Sequence, residues 1–600
     1  MDLSTVKNLP TMFFEQAARK GDKPFVWSKI GGTYSPVTWR EAAATAARVA
    51  AGLRANGVAP GDRVALVAES RSEWPIADLA IMAAGAISVP AYVTNTVADH
   101  LHILNNSGAR AAIVSTRQLA KTLLPAAKDA ATTELVVSIE ELPADEHPAG
   151  VTVKTWQDVQ DEGGEGGDGD RIVAAARDIE RTAPSCIIHT SGTGGAPKGV
   201  TLSHGAILCN VQGAADLLES LGLEDEVFLS FLPLSHSYEH TAGLFFPVAI
   251  GAQIYYAERV DTLATNMVEV RPTIMTAVPR LYETMHQRIV AGVARSGGLK
   301  AKLFHLALDL GRRRYLEPAS LSAVDRLKDS LVDKLVRDKV RERFGGRLKA
   351  LVSGGAPLNH DIGLFFTALG LRLLQGYGQT ESAPVISCNL PHDCRLHTVG
   401  PACTGVEVRI ADDGEIVVRG ENVMLGYWGD DEATSEVIRD GWLYTGDIGE
   451  LDDDGFIQIT DRKKDIIVNS GGDNISPQRI EGILALQPEV GQAMVYGDRR
   501  PHLVAVLVPD AEFMENWATA VGRDGDLAAL ADEPEFQEAM EAVVDRVNAD
   551  LQVIERVRRF VIARQPFTVE NEMMTPTLKI RRHKITAEYG DALEALYGHS

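Results

Sequence analysis

Between Thr190 and Val200 the sequence reads TSGTGGAPKGV. Three hydroxyl side chains, Thr190, Ser191 and Thr193, alternate with Gly192, Gly194 and Gly195 and lead to Pro197 and Lys198. Backbone N–H groups, hydroxyls and one ammonium can converge there on a single anion, which is the chemistry of gripping a polyphosphate. This is not a Walker A loop, where the lysine follows glycine, precedes Ser or Thr and opens a helix. Lys198 stands between Pro197 and Gly199, and Val200-Thr201-Leu202 has the composition of a strand. A hairpin between two strands is therefore expected, with Ser203 capping a later helix. A glycine-rich surface turn is the plain alternative. A second cluster, QGYGQTES from Gln375 to Ser382, places Tyr377 and Gly378 beside Thr380 and Glu381. The tyrosine offers a face for a purine, the threonine a hydroxyl for phosphate, and the glutamate a hard oxygen ligand for Mg2+. Alone, such a turn is usually structural. Asp447, in DGWLYTGDIG, is a carboxylate suited to paired hydrogen bonds with ribose hydroxyls.

The 190–200 stretch resembles the phosphate-binding loop of the adenylate-forming enzymes, the superfamily of acyl-CoA synthetases, firefly luciferase and peptide-synthetase adenylation domains. The later motifs resemble its bacterial long-chain fatty acid:CoA ligases, and the likeness spans about residues 10 to 590. It implies that Gly355, Ala356 and Pro357, in SGGAP, border the adenine. It also implies that His236, in LPLSHSYEH, lies beside the substrate carboxylate, and that Arg271 to Glu283 help to wall an acyl pocket. In ITDRKKDIIVNSGGDNISP, Arg462 would contact ribose or phosphate, Lys464 would be the interdomain hinge, and Gly471 and Gly472 would form the hairpin of a thiol channel. Lys579, in TPTLKIRR, matches the adenylation lysine. Without the resemblance, the histidine reads as a packed or capping residue and the lysine as part of a solvated basic tail.

The implied activity is ATP-dependent activation of a long-chain fatty acid to acyl-AMP, followed by transfer to CoA. Lys579, Glu381, Thr380 and His236 would be catalytic, with Mg2+ on Glu381. Two alternatives stand beside it. A fatty acyl-AMP ligase would hand the acyl group to a carrier protein, but no obvious inserted segment lies near Lys464. A catalytically silent nucleotide-binding regulator would not need Glu381, Asp447 and Lys579 together.

Positioning these residues takes more than one core, and 600 residues with 45% hydrophobic content supply that. Thr38 and Glu41 form a capping box for a helix to about Asn56, and Pro60-Gly61-Asp62 turns into the apolar strand from Arg63. Helix and strand keep alternating, as in a mostly parallel, doubly wound α/β sheet. The expected architecture is a large ATP- and acyl-binding domain, residues 1–461, plus a small mobile α/β domain, residues 462–600. Asp161 to Asp170, acidic and glycine-rich, is expected as an exposed loop. Cys388, His392, Cys394 and His397 lack the paired spacing of a zinc site.

A net charge of −23 argues against nucleic acid as a partner. Five sparse cysteines fit a reducing cytoplasm, and no secretory signal or membrane span is read from the sequence. Arg295 to Lys349 departs from this acidity, with 15 basic against 7 acidic residues. Leu303, Leu306 and Leu310, then Leu327, Leu331 and Leu335, recur there at helical spacing. The segment reads either as a solvated helical insert with pairs such as Asp333 and Arg337, or as a peripheral contact with anionic membrane.

Overall fold

The computed structural model describes residues 2–164, 168–190, 196–463, 465–471, 473–523, 525–575 and 579–598. Two eight-stranded sheets and a five-stranded antiparallel sheet make up the N-terminal part. In the first sheet the strand Arg63–Val67 shows how the winding arises. Val64 and Leu66 pack with the helices Trp39–Ala55 and Glu73–Ala83. Ala65 and Val67 face the opposite layer, with Val97–Ser107 and Arg117–Asp129. A period-2 strand that is apolar on both faces needs cover on both, and parallel crossovers supply it. Six parallel strands end at Pro184–Thr190, after which Lys198–Ser203 and Gly426–Tyr427 add on antiparallel.

The second sheet runs Thr33–Thr38, Pro24–Ile30, Gln253–Tyr256, Val227–Ser230, Ile274–Ala277, Ala350–Ser353, Leu373–Gly378, Val385–Cys388. Its Phe228, Ile254 and Leu374 share a core with the first sheet's helices, so the two sheets sandwich one helical layer. The capping box at Thr38 and Glu41 is present, with the hydroxyl accepting from the Glu41 amide.

A buried ion pair fastens this layer. His240, at the start of a π-helical turn over Glu239–Phe245, donates Nε2–H to Asp78 Oδ2 at 2.9 Å, and both side chains are fully buried. Burial alone would lower the imidazole's pKa, but the Asp78 carboxylate overrides it and raises the value to about 10.

The smaller C-terminal domain has a separate core, from Ile467 to Leu593, around the strands Val490–Tyr496, Leu503–Pro509 and Val557–Ile562. One expectation needs correction. Asp161 to Asp170 is not one exposed loop: Asp161 and Glu162 close the helix Trp156–Glu162, and Asp168 opens the helix Asp168–Ala176. Acidic side chains in a first turn suit the helix dipole, and Gly169 lets this helix lie against Ala47. Of the leucines read at helical spacing between 303 and 335, Leu310 is buried and Leu303 and Leu306 half-buried, while Leu327, Leu331 and Leu335 face solvent. Among the described residues no helix is long and apolar enough to cross a membrane.

Asp78→Asn leaves a buried histidine without its counter-charge and is expected to destabilise the protein by about 3 kcal/mol, read by urea denaturation. The sign with pH follows from the raised histidine. The pair's stabilisation is complete below about 6.5, the free imidazole value, and fades as pH rises toward about 10. The Asn variant should lose this dependence.

Candidate active site

Thr190 and Lys198 face each other as the last and first residues of the antiparallel hairpin strands, and Ser203 accepts from the Ala206 amide to cap the helix His204–Leu218. The expected strand–loop–strand arrangement is thus present at both ends. Ser191, Gly192, Thr193, Gly194 and Gly195 lie outside the described residues, as do Lys464 and Gly472. The Pro197 carbonyl accepts from His102 Nε2 at 2.9 Å. Lys198 is exposed, its ammonium 5.0 Å from the centroid of the Tyr427 ring and 3.9 Å from Asp430.

Tyr427 links this lysine to the second cluster. Its hydroxyl donates to Glu381 Oε1 at 2.9 Å, and burial together with that carboxylate pushes the phenol well above its ordinary range. Thr380 is buried and its hydroxyl is 2.9 Å from that of Ser237. Gly378 has no room for a side chain, because a Cβ there would lie 1.8 Å from the Pro384 carbonyl oxygen. Gly355 takes φ +80°, open to glycine at little cost, and Ala356 and Pro357 stand exposed beside it.

Asp447 is the most fully engaged group. Its Oδ2 accepts from the Tyr377 hydroxyl at 2.8 Å and its Oδ1 from Arg462 Nε at 3.1 Å, the latter directly across the antiparallel strands. An ionised carboxylate has about four acceptor positions, so room remains for a diol. Enclosure works against the Arg462 charge, but Asp447 prevails and raises the guanidinium further. The Tyr377 ring is 9% exposed and packs among Ile386, Val399 and Val406, so it offers a purine much less of its face than the sequence suggested.

His236 follows the strand Val227–Ser230 and is half-buried, with Nδ1 accepting from the Tyr238 amide at 3.1 Å. That bond assigns the ring proton to Nε2, leaving a neutral donor. Burial, reinforced by Lys579, pushes its pKa down to about 4. Lys579 has an exposed side-chain surface yet is enclosed at longer range by the cleft walls. This enclosure, with Arg462 nearby, lowers its ammonium to about 8 against the opposing pull of Asp447 and Glu381. Among the described residues no carboxylate pairs directly with it. Lys579, His236, Glu381, Asp447 and Arg462 therefore share one electrostatic neighbourhood. Gly471 lies in an exposed turn of the small hairpin Ile467–Val468 and Asn474–Ile475, where Asn469 accepts its amide.

Sequence reasoning missed Tyr427, Ser237 and Asp430. Ser237 sits in the quoted LSHSYEH but was overshadowed by its histidine. LGYWGD, Leu425 to Asp430, has the same glycine-aromatic texture as the tyrosine motif, a signal that was available.

A strand–loop–strand hairpin, a carboxylate held by a tyrosine and an arginine, and a lysine from the C-terminal domain are the parts that a nucleotide-dependent activating enzyme needs. Family comparison makes that particular: the AMP-binding enzyme model matches residues 13–428, and the AMP-binding enzyme C-terminal domain model matches residues 464–600. The chain belongs to this adenylate-forming family. It is 33% identical over 600 residues to the long-chain-fatty-acid–CoA ligase FadD15 of Mycobacterium bovis, covering 98% of this chain and 97% of the relative. The peroxisomal long chain acyl-CoA synthetase 6 of Arabidopsis thaliana is 32% identical, over 94% of this chain and 82% of the relative. The fold is shared with the adenylation domain of a Mycobacterium chelonae carboxylate reductase, at TM-score 0.74 and 22% identity, over 98% of this chain and 91% of that one.

Tyr427→Phe keeps the ring beneath Lys198 and removes only the bond to Glu381. Losing a hydrogen bond to a charged group, worth about 1.5–3 kcal/mol, is expected to slow ATP–pyrophosphate exchange about tenfold or more, with the melting temperature nearly unchanged.

Proposed function

We propose that this protein activates a long-chain fatty acid with ATP, forming acyl-AMP and pyrophosphate, and then transfers the acyl group to CoA with release of AMP. The observation that carries the reading is Lys579, brought from the C-terminal domain into the neighbourhood of Glu381, Asp447, Arg462 and His236 with no carboxylate paired to it among the described residues. The long-chain preference is supported by the names of the full-length relatives.

A carboxylate and a triphosphate repel, so the cleft must supply positive charge and oriented donors at the reacting atoms. The Lys579 ammonium offsets the charge gathered between the attacking carboxylate and the α-phosphate. The neutral His236 Nε2–H orients the carboxylate without adding a proton that could neutralise it. The Thr380 hydroxyl, tied to Ser237, donates to phosphate, and Thr190, the loop after it and Lys198 hold the leaving pyrophosphate. Asp447 and Arg462 hold the ribose, with Tyr377 at the edge of the purine and 355–357 bordering it.

Glu381 fits a Mg2+ ion. Its carboxylate is half-buried, with Oε1 oriented by Tyr427. An ion held there would take its other ligands from phosphate and water. When bound, it would neutralise phosphate charge.

For the thioester step we take the C-terminal domain, residues 462–600, to turn as a lid about Lys464, withdrawing Lys579 and bringing in the hairpin of Gly471 and Gly472. Residues 1–461 would stay fixed, together with Arg462 and Lys463, which precede the pivot. The protein would work in the cytoplasm, with peripheral membrane contact through residues 295–349, and with no nucleic acid partner.

The primary test is pyrophosphate release with palmitate, with and without CoA. CoA-dependent turnover that yields palmitoyl-CoA is expected. Acyl-AMP accumulating in the presence of CoA would assign a carrier-protein acceptor instead, and ATP binding without turnover on any fatty acid would assign a regulator. Lys579→Ala should slow adenylation about 10²-fold or more while sparing thioester formation from supplied acyl-AMP. Equal loss in both half-reactions would sink the rotating-lid mechanism.

Lys579 also sets a pH limit. Its charge is lost as pH rises through about 8, so the adenylation half-reaction should show an alkaline limb near that value. Lys579→Arg, which stays charged, should move the limb upward even at reduced rate.

A further inference from the structure

The helical segment from Ala323 to Arg343 turns an apolar row outward. Val324, Leu327, Leu331 and Leu335 are 60%, 74%, 57% and 43% exposed. At about 100° per residue they fall in one stripe along the helix. The opposite side is built in: Val332 packs with Ala307 and Leu310, and the fully buried Arg337 donates to the Ala307 and Ala368 carbonyls.

Charge on this helix is sorted by sign. Asp325 pairs with Arg313 at 3.3 Å, Asp329 with Arg314 at 3.0 Å and Arg337 at 2.7 Å. Asp333 pairs with Arg341 at 2.8 Å and Arg337 at 3.6 Å, and Asp338 with Arg341 at 2.6 Å. Arg326, Lys328, Lys334, Lys339 and Arg343 remain exposed, and among the described residues no ion pair engages them. The four aspartates of this helix are thus paired within the fold and Glu342 alone among its acidic groups stands exposed without a partner among the described residues, while five basic groups are left uncompensated, on a protein of net charge −23.

We propose that this face is the protein's docking surface for an anionic membrane, with the leucine row entering the acyl boundary and the flanking lysines and arginines meeting headgroup phosphates. An apolar protein partner would account for the leucines alone, and a solvated face would account only for the charges. An anionic lipid surface accounts for both. The inference deepens the peripheral contact proposed above, and it places the chain where a water-insoluble acid is concentrated.

The test is co-sedimentation of the full-length protein with vesicles of phosphatidylcholine alone and with roughly a third phosphatidylglycerol. Binding at least about tenfold stronger to the anionic vesicles is expected, weakening as salt is raised. Leu327→Ser, Leu331→Ser and Leu335→Ser together, and Lys328→Glu, Lys334→Glu and Lys339→Glu together, should each lower it about tenfold or more. A Leu→Ala set at the same three positions keeps helix propensity and guards against loss of folding. All three variants should keep wild-type turnover of octanoate. Equal binding to neutral and anionic vesicles, no binding to either, or wild-type binding by the charge-reversed protein would overturn the proposal. So would a dimer in sedimentation velocity that the serine variant dissolves, since the face would then belong to a second copy of the chain. Vesicle binding without acyl-CoA formation would refute the proposed activity and leave this surface standing, and the opposite pattern would do the reverse.

Discussion

The Lys579 ammonium, paired with no carboxylate among the described residues, must be kept within the influence of two of them, and much of the cleft is arranged around that requirement. Glu381 and Asp447 both act on Lys579, and either could capture it as an ion pair. Each is already engaged: Glu381 accepts from Tyr427, and Asp447 from Tyr377 and Arg462. Arg462 also opposes the lysine's charge directly and helps to lower its pKa. The result is a cation held near acids that are satisfied elsewhere, which leaves it available to an incoming anion. His236 follows the same logic with opposite sign, since its low pKa keeps it a neutral donor where a second positive charge would compete.

The fold gathers these groups by strand direction. Thr190 ends a parallel strand of the first sheet. The strands Val227–Ser230, Ala350–Ser353 and Leu373–Gly378 of the second sheet lead into the segments carrying His236, Gly355 and Glu381. Carboxyl ends of parallel strands converge on a crevice, and two sheets packed through one helical layer bring two such sets together. The bracing between them is local. Gly426–Tyr427 joins the first sheet as its edge strand, while the tyrosine side chain reaches the 380 turn beside the second. The buried Asp78–His240 pair crosses the same helical layer deeper down.

Much of this was legible in the sequence because local chemistry announces itself. The alternation of helix and strand, the Thr38 capping box and the hairpin around Lys198 all depend on neighbours within a few residues. What stayed hidden depends on contacts between distant residues. Asp78 reads as a polar interruption in an apolar run, and only the packing of residue 240 against it makes it an ion pair. Tyr427 lies 46 positions from Glu381, and no periodicity connects them. The outward turn of Leu327, Leu331 and Leu335 was equally invisible, because helical spacing gives a stripe without saying which side faces the core. The acidic glycine run misled by composition: its ends became helix termini, where aspartates are favourable.

The strands carrying Asp447 and Arg462 have one more consequence. The two residues are register partners in a single antiparallel hairpin, and the proposed pivot at Lys464 lies just beyond it. A lid turning at that point would carry Lys579 away but leave the proposed ribose clamp behind. The activated acyl group would then wait on a fixed seat while its chemical surroundings are exchanged. Water and thiol would compete for it according to how fast the lid turns, so the yield of thioester per ATP consumed becomes a property of the hinge as well as of the reacting groups.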